Sequence, residues 1–308
     1  MAEELALFSL GSVDASRAEA DVADLQTAGG LLALMELPRV GSGRAIKFAQ
    51  QFRSADAFND ASPETRRHVG GVGVADRVHL MQPTVPDGAR LVGYFDDDYP
   101  SSLRDIPNPP AVLWVRGSLP DPARRIAVVG TRSATPWGAK LAASMGEDAA
   151  EAGVSVVSGL ALGIDIAAHR GALAVGGHTV AVLGSGIDAP SPREHRTDAD
   201  AILGAGGCLI AEVPPGTPPN ARTLVARNRI QSGISYATIV VQCGLKSGTM
   251  TTAKFTREQG RVLALPVPPE AERGHPENAG SGSLLSASPA PRPLASRDDL
   301  SSLLAEIR

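Results

Sequence analysis

Arg125-Ile126-Ala127-Val128-Val129-Gly130-Thr131-Arg132-Ser133 is the stretch that decides the fold. A short unbroken apolar run ends in Gly, Thr and Arg, as a strand buried on both faces does when it runs straight into a loop. The form recurs. Ser155-Val156-Val157 leads into Ser158-Gly159-Leu160-Ala161-Leu162-Gly163-Ile164-Asp165, and Thr179-Val180-Ala181-Val182-Leu183 into Gly184-Ser185-Gly186-Ile187-Asp188. Ala237-Thr238-Ile239-Val240-Val241 leads into a loop containing Lys246-Ser247-Gly248-Thr249, while Cys208-Leu209-Ile210 and Val262-Leu263-Ala264-Leu265 complete the set. Ala-rich helical patterns, such as residues 139–151 and 164–175, lie between these runs. Buried strands with helical crossovers predict a doubly wound α/β domain on a mostly parallel sheet over residues 123–268.

Outward from that domain the composition changes. Residues 81–122 are rich in Pro and Asp and hold one strand candidate, Ala111-Val112-Leu113-Trp114-Val115, so they read as a connector packed on the domain. Residues 1–80 carry apolar residues at helical spacing, as in Leu31-Leu32-Ala33-Leu34-Met35 and Ala45-Ile46-Lys47-Phe48-Ala49, and predict a small helical domain. Residues 269–296 are rich in Pro, Ser and Gly and are expected to be flexible, with a C-terminal helix over 297–308.

The 308 residues are 43% hydrophobic and 20% charged, ordinary globular usage that excludes wholesale disorder, collagen and coiled coil. No apolar run approaches the roughly 20 residues of a membrane span. The N-terminus, Met1-Ala2-Glu3-Glu4, is acidic where a secretory leader is basic, so a cytoplasmic location is expected. Cys208 and Cys243 sit in apolar strands and read as small buried hydrophobes. Net charge is −4, yet between residues 220 and 262 seven basic residues, Arg222, Arg227, Arg229, Lys246, Lys254, Arg257 and Arg261, face one acid, Glu258. The first 30 residues run the other way, with Glu3, Glu4, Asp14, Glu19, Asp21 and Asp24 against Arg17. A local basic field of this size collects a polyanion whatever the total charge.

In an open parallel sheet the ligand lies beyond the carboxyl ends of the strands. The loops there share small residues that let a backbone approach closely, Ser and Thr at helix starts, and Arg or Lys. That combination suits a phosphate, so the candidate binding residues are Gly130, Thr131, Arg132, Ser133, Ser158, Gly159, Gly163, Gly184, Ser185, Gly186, Arg227, Asn228, Arg229, Lys246, Ser247, Gly248 and Thr249. Neither a Gly-x-Gly-x-x-Gly turn nor a Gly-x-x-x-x-Gly-Lys-Ser loop is present, which disfavours a dinucleotide dehydrogenase and a P-loop ATPase. Asp165 and His169 share a helix face and read as a pair that caps and orients a turn. No His, Cys or acid cluster has ligand spacing, and no metal, cofactor or catalytic residue is assigned. Leu37-Pro38-Arg39-Val40-Gly41-Ser42-Gly43-Arg44-Ala45 looks like a helix-hairpin-helix element, in which turn amides meet a nucleic-acid phosphate.

Taken in order, Tyr99-Pro100-Ser101-Ser102-Leu103, residues 109–117, Val128-Val129-Gly130-Thr131-Arg132, residues 157–165, His169-Arg170-Gly171-Ala172-Leu173, residues 181–188, Arg227-Asn228-Arg229-Ile230 and Lys246-Ser247-Gly248-Thr249 resemble the DprA/Smf family of bacterial DNA-processing proteins. The resemblance covers about residues 92–266. It implies an extended Rossmann-like domain that binds single-stranded DNA, forms a homodimer and passes the strand to the recombinase RecA in natural transformation. Carried over by motif, Arg132, Arg227, Arg229 and Lys246 would hold phosphates, with Thr131, Ser158, Gly159, Ser247 and Thr249 completing the groove. The chain departs from the family at Thr223-Leu224-Val225-Ala226, at Gln242 where Glu is usual, at Val267-Pro268-Pro269, and between Gly280 and Leu285. Two other occupants of the site stay open on the residues alone. One is a nucleotide or nucleotide-derived ligand bound by a sensor of the same fold; the other is none, in an adaptor with a vestigial groove. A phosphoribohydrolase is disfavoured because the loop at residues 246–252 lacks the acid that would activate water.

Overall fold

In a computed structural model, which describes residues 24–80, 82–119 and 124–307, the chain divides into two units, Met1–Pro83 and Thr84–Arg308. Glu3, Glu4, Asp14, Glu19 and Asp21 of the acidic N-terminal stretch lie outside the described residues, as do Pro120, Asp121 and Pro122.

The first unit consists of α1 (Ala28–Met35), α2 (Ser42–Phe52), α3 (Ala55–Asp60) and α4 (Pro63–Gly70). Thr27, Ser54 and Ser62 cap α1, α3 and α4 by accepting from backbone N–H groups of the first turn. Leu25, Leu31, Leu34, Phe48 and Phe58 form the core, with the rings of Phe48 and Phe58 edge to face at 5.2 Å. Arg66 is buried among them because its guanidinium donates to the carbonyls of Phe58, Asn59, Val74 and Asp76. Between α1 and α2 the Leu37–Gly41 turn, with Arg39 at φ 64°, occupies the position of the helix-hairpin-helix-like element. Arg44 ties the turn down by donating to Arg39 O at 2.6 Å and Gly70 O at 3.1 Å.

The second unit begins with β1 (Ala89–Gly93), α5 (Ser101–Arg104) and β2 (Val112–Gly117). Then strand and helix alternate: β3 (Arg125–Gly130), α6 (Pro136–Glu151), β4 (Ser155–Ser158), α7 (Ile164–Ala174), β5 (Thr179–Leu183), α8 (Arg196–Gly204) and β6 (Cys208–Ala211). The helices α9 (Ala221–Ala226) and α10 (Asn228–Gly233) precede β7 (Ala237–Gln242), α11 (Gly248–Glu258) and β8 (Val262–Pro266). The chain closes with α12 (Glu270–Arg273), α13 (Ala279–Leu285), β9 (Arg292–Leu294) and α14 (Arg297–Ala305).

The nine strands among the described residues form one sheet in the order β1-β2-β6-β5-β4-β3-β7-β8-β9. From β6 through β9 the pairing is parallel; β2 runs antiparallel to β6 and to β1. Side chains alternate across it as strand geometry requires. In β3, Ile126 and Val128 face α6, α7 and α14 through Met145, Ala168 and Leu303. Ala127 and Val129 face the other layer, which includes Ile230 of α10, Ala253 of α11 and Leu284 of α13. The sheet is thus covered on both faces, the doubly wound α/β architecture read from the strands.

Two regions differ from the sequence reading. The connector supplies two strands rather than one, since β1 pairs with β2 from Ala89↔Arg116 to Gly93↔Val112 and extends the sheet edge. Residues 269–296, expected to be flexible, hold two short helices and a parallel strand registered Ala264↔Arg292. Their small and polar residues are used in close contacts. Ser281 Oγ accepts from the Cys243 N–H at 3.0 Å, and a Cβ on Gly280 would stand 2.6 Å from Gly244 O. Cys208 and Cys243 are unpaired thiols within the core, pushed up by burial to about 12 and about 11. At neutral pH both remain protonated and inert.

Candidate phosphate-binding cleft

The sheet order reverses at β3, whose neighbours β4 and β7 continue in opposite directions. At such a switch point the loops leaving the strands part and open a crevice. The loops after β3 and β7 do so here, and a cleft of 740 Å³ lies between them, with α9 and α10 closing a third side. Nine of the candidate residues line it: Gly130, Thr131, Arg132, Arg227, Asn228, Lys246, Ser247, Gly248 and Thr249.

Each wall has a local cause. Ser247 caps α11 by accepting from Thr249 N–H at 3.1 Å, and the first turn of that helix, at Gly248 and Thr249, lines the cleft with the positive end of its dipole. Arg132 and Lys246 are exposed and reach it from opposite loops. Gln242, at the end of β7, lies under the β3 loop. Its amide oxygen accepts from Thr135 N–H at 2.9 Å and its amide nitrogen donates to Thr135 Oγ1 at 3.1 Å, which anchors the start of α6.

Arg227 forms the floor. It is 6% exposed, donates to Val182 O at 3.1 Å and stands 3.6 Å from Asp165 Oδ2, which also accepts from Gly159 N–H at 3.1 Å. Burial pushes the Asp165 carboxyl up and Arg227 down, and each opposes the other's shift by its charge. Gly159 is required at this place because a Cβ would lie 1.3 Å from Arg227 Nη1. Gly163 meets a different demand: it holds φ 78° beneath Thr131 O, a conformation L side chains rarely adopt. His169, on the same face of α7 as Asp165, is fully enclosed. Since Thr179 Oγ1 donates to Val156 O, it accepts from His169 Nδ1 at 2.7 Å, so the ring is the Nδ1–H tautomer. Burial first, and Arg227 second, push it down to about 3.

The other eight candidates stand elsewhere. Ser158 is buried and donates to Val128 O at 2.7 Å; Ser185 is buried and donates to Ala189 O at 2.9 Å. Gly184 and Gly186 give room to Leu224 and to the Pro214–Gly216 turn; Gly159 lines a smaller adjoining cavity, Gly163 packs beneath Thr131 O, and Ser133 is exposed in the β3 loop outside the cleft lining. Arg229 departs most from its expected role. Its guanidinium points away from the cleft into a two-pronged pair with Glu212, at 2.7 and 2.5 Å, and donates to Asn108 O at 2.8 Å. The basic run of residues 220–262 is likewise divided: Arg257 donates to Pro289 O and Arg261 to Ser102 O, both outside the cleft.

Sequence reasoning missed Glu277. It comes from the segment after β8, lines the cleft and accepts a short hydrogen bond from Thr131 Oγ1, while neighbouring Glu272 accepts from Thr135 Oγ1 at 3.1 Å. No spacing signal linked these acids to residues more than a hundred positions earlier. Among the described residues no group of three or more His, Cys, Asp or Glu is placed to hold a metal ion, and no helix is long and apolar enough to cross a membrane.

Fold and site together define a doubly wound α/β protein with a basic, amide-lined cleft at its switch point. The chain belongs to the DprA/Smf family: the model of the family described as DNA recombination-mediator protein A matches residues 90–302. It is 42% identical over 172 residues to protein Smf of Escherichia coli, a match covering 55% of this chain and 46% of that protein. To the putative DNA processing protein DprA of Mycobacterium tuberculosis it is 37% identical over 235 residues, covering 71% and 59%. The chain therefore spans about half the length of these relatives. Among solved structures, DprA of Streptococcus pneumoniae superposes with a TM-score of 0.71 at 24% identity, covering 92% of this chain and 98% of that one. DNA processing protein A of Helicobacter pylori, described for its single-stranded DNA binding mode, does so with a TM-score of 0.62 at 23% identity, covering 71% and 97%.

Proposed function

We propose that the cleft seats the sugar-phosphate backbone of single-stranded DNA, and that the protein, acting as a binder rather than an enzyme, protects the strand and delivers it to the recombinase RecA. The observation that carries this reading is the meeting of Arg132, Lys246 and the first turn of α11 across one cleft at the β3/β7 switch point. Cationic side chains facing helix-terminal amides hold phosphates without reading bases. The description of the family as a recombination mediator, and of the Helicobacter pylori relative as a binder of single-stranded DNA, agrees with it. A homodimer working in the cytoplasm during DNA uptake belongs to the same proposal.

Fluorescence anisotropy with a labelled single strand, against a duplex of equal length across a salt series, tests the reading. A steep fall of affinity with salt, and a slope reduced by roughly 0.7 in both Arg132→Ala and Lys246→Ala, is expected. Binding indifferent to salt and to both substitutions sinks it.

One observation favours a second occupant. The cleft volume of 740 Å³ lies within the roughly 300–1,000 Å³ of small-ligand sites, and Glu277 offers a carboxylate suited to a ribose hydroxyl or a base amino group. Thermal stabilisation by mononucleotides at millimolar concentration would support that reading over the first.

A further inference from the structure

The hairpin between α1 and α2 gathers charge far from the cleft residues in sequence and in a different unit. Arg39, Arg44 and Arg67 are all exposed and rest on one turn, residues 70–73 at the end of α4. Arg44 Nε donates to Gly70 O at 3.1 Å, Arg39 Nη2 reaches Gly73 O at 3.5 Å, and a Cβ on Gly73 would stand 3.1 Å from Arg67 Nη2. Lys47 adds a fourth exposed cation, three residues along α2 from Arg44 and so on the same side of the helix. No acid neutralises them. Glu36, Glu64 and Asp76 of the flanking segments are exposed, and among the described residues none of these four cations forms an ion pair. Like charges gathered this closely repel unless an anion lies between them, and guanidinium forks match the oxygens of a phosphate. The space over the hairpin is open as well. A Cβ on Gly41 or Gly43, at the start of α2, would meet nothing within 4 Å, so a phosphate has access to the positive end of that helix beside the arginines.

We propose that Arg39, Arg44, Lys47 and Arg67 form a second nucleic-acid contact, carried by the first unit, which holds backbone phosphates of a single strand or a duplex without reading bases. The proposal rests on the reading of the protein as a nucleic-acid binder and is independent of the cleft. Its occupant follows from exposure. A solvent-exposed cation gains little from one small anion in water, because the pair is screened and its side chain must be ordered. Several such cations at one hairpin gain much more from a polyanion, whose condensed counterions they release on binding. The phosphodiester is common to single strand and duplex, and the two ligands of the test separate them. Arg44 also ties the turn to Arg39 O and Gly70 O, so Arg39 and Arg67 are the positions that can be changed without loosening the hairpin.

Anisotropy on the full chain compares the wild type with Arg39→Gln/Arg67→Gln, on a single strand and on a duplex of equal length across a salt series. On the form the hairpin holds, the slope of log affinity against log salt should fall by roughly 1.4 for a single strand or roughly 1.8 for a duplex, the loss of two phosphate contacts. The melting temperature should stay that of the wild type, since both side chains are exposed. Arg53→Gln, which removes an exposed charge at the far end of α2, should leave the slope unchanged. A slope unchanged on both ligands in the double variant, with Arg132→Ala and Lys246→Ala still effective, overturns the hairpin contact and leaves the cleft standing. An equal fall per charge in Arg53→Gln overturns it too, because net charge then accounts for the effect, as does a loss of binding that accompanies a lowered melting temperature. A reduced slope in the double variant beside inert cleft substitutions supports the hairpin and sinks the cleft. A wild type that binds neither ligand removes both.

Discussion

Arg132 and Arg229 both read from the sequence as holders of phosphate, yet the structure gives them opposite environments. Arg132 is exposed on the cleft rim; Arg229 is 6% exposed in a two-pronged pair with Glu212. Arg132→Ala should therefore weaken DNA binding with little change in melting temperature. Arg229→Ala removes the guanidinium from a buried pair and should destabilise the second unit by about 3 kcal/mol or more. Denaturant unfolding of the two variants beside their DNA affinities separates the roles, and equal stability would refute this assignment. That Arg-Asn-Arg sits near the cleft was legible in the sequence. Which of its two arginines faces a ligand was not, because the partner of Arg229 arrives from the end of β6 only after the sheet has formed. Glu277 was hidden for the same reason. Its carboxylate opposes an incoming phosphate, while Gln keeps the acceptor for Thr131 Oγ1, so Glu277→Gln should tighten single-strand binding by roughly fivefold, about 1 kcal/mol. Weaker binding in the same anisotropy series would show instead that the acid contacts the ligand.

Among the elements, the packing of α6 on α7 depends on the absence of side chains. A Cβ on Gly171 would stand 2.0 Å from Ala143 O, and one on Gly146 would stand 2.3 Å from Ala168 O, backbone atoms that cannot swing aside. Helix propensity favours Ala over Gly by about 1 kcal/mol in a helix interior. Overpacking between two backbones costs about 1–3 kcal/mol, so it should win. Gly171→Ala is accordingly expected to lower the melting temperature of the second unit by roughly 2–8 °C, read by calorimetry, against the rise that propensity alone predicts. The parallel strands were legible because each is a short apolar run bounded by Gly or Ser. The edge strands were not: β1, Ala-Arg-Leu-Val-Gly, is partly exposed and its apolar pattern is weak, and β9 spans three residues around Pro293. Pro, which lacks an N–H, suits the outermost of the described strands. Composition read the segment between β8 and β9 as flexible because Gly and Ser signal freedom in isolation. Their use for close approach to Cys243 and Gly244 exists only in the folded sheet.

For the whole molecule, stability and the site are linked through the buried groups beneath the cleft. His169 is held down to about 3 by burial and by Arg227, with Asp198 acting weakly in the opposite sense, against an ordinary value near 6.5. His178, which bonds Ser155 Oγ and Ser118 O, is also held low by burial. A histidine whose folded value is depressed binds its proton more readily in the unfolded chain. Between the two values the unfolded state therefore carries more protons, and stability rises with pH across that window and falls as the solution is acidified. From neutral pH down to pH 5, His169 alone should remove about 2 kcal/mol. Asp165 acts in the other direction, since burial raises its carboxyl and the stability gained by its protonation grows as pH falls. Its pairing with Arg227 limits that gain, so the histidines should dominate. Urea unfolding from pH 7.5 to pH 5, followed on the second unit, is expected to show a falling midpoint. His169→Asn should start lower, because it loses ring packing, and should show a flatter dependence on pH. Because Arg227 lies on Asp165 and sets the cleft floor, DNA affinity measured in the folded protein over the same interval should change less than stability does. An affinity that tracks the stability loss would mean that the cleft opens with the protonation of His169, and the floor would then be a moving part of the site.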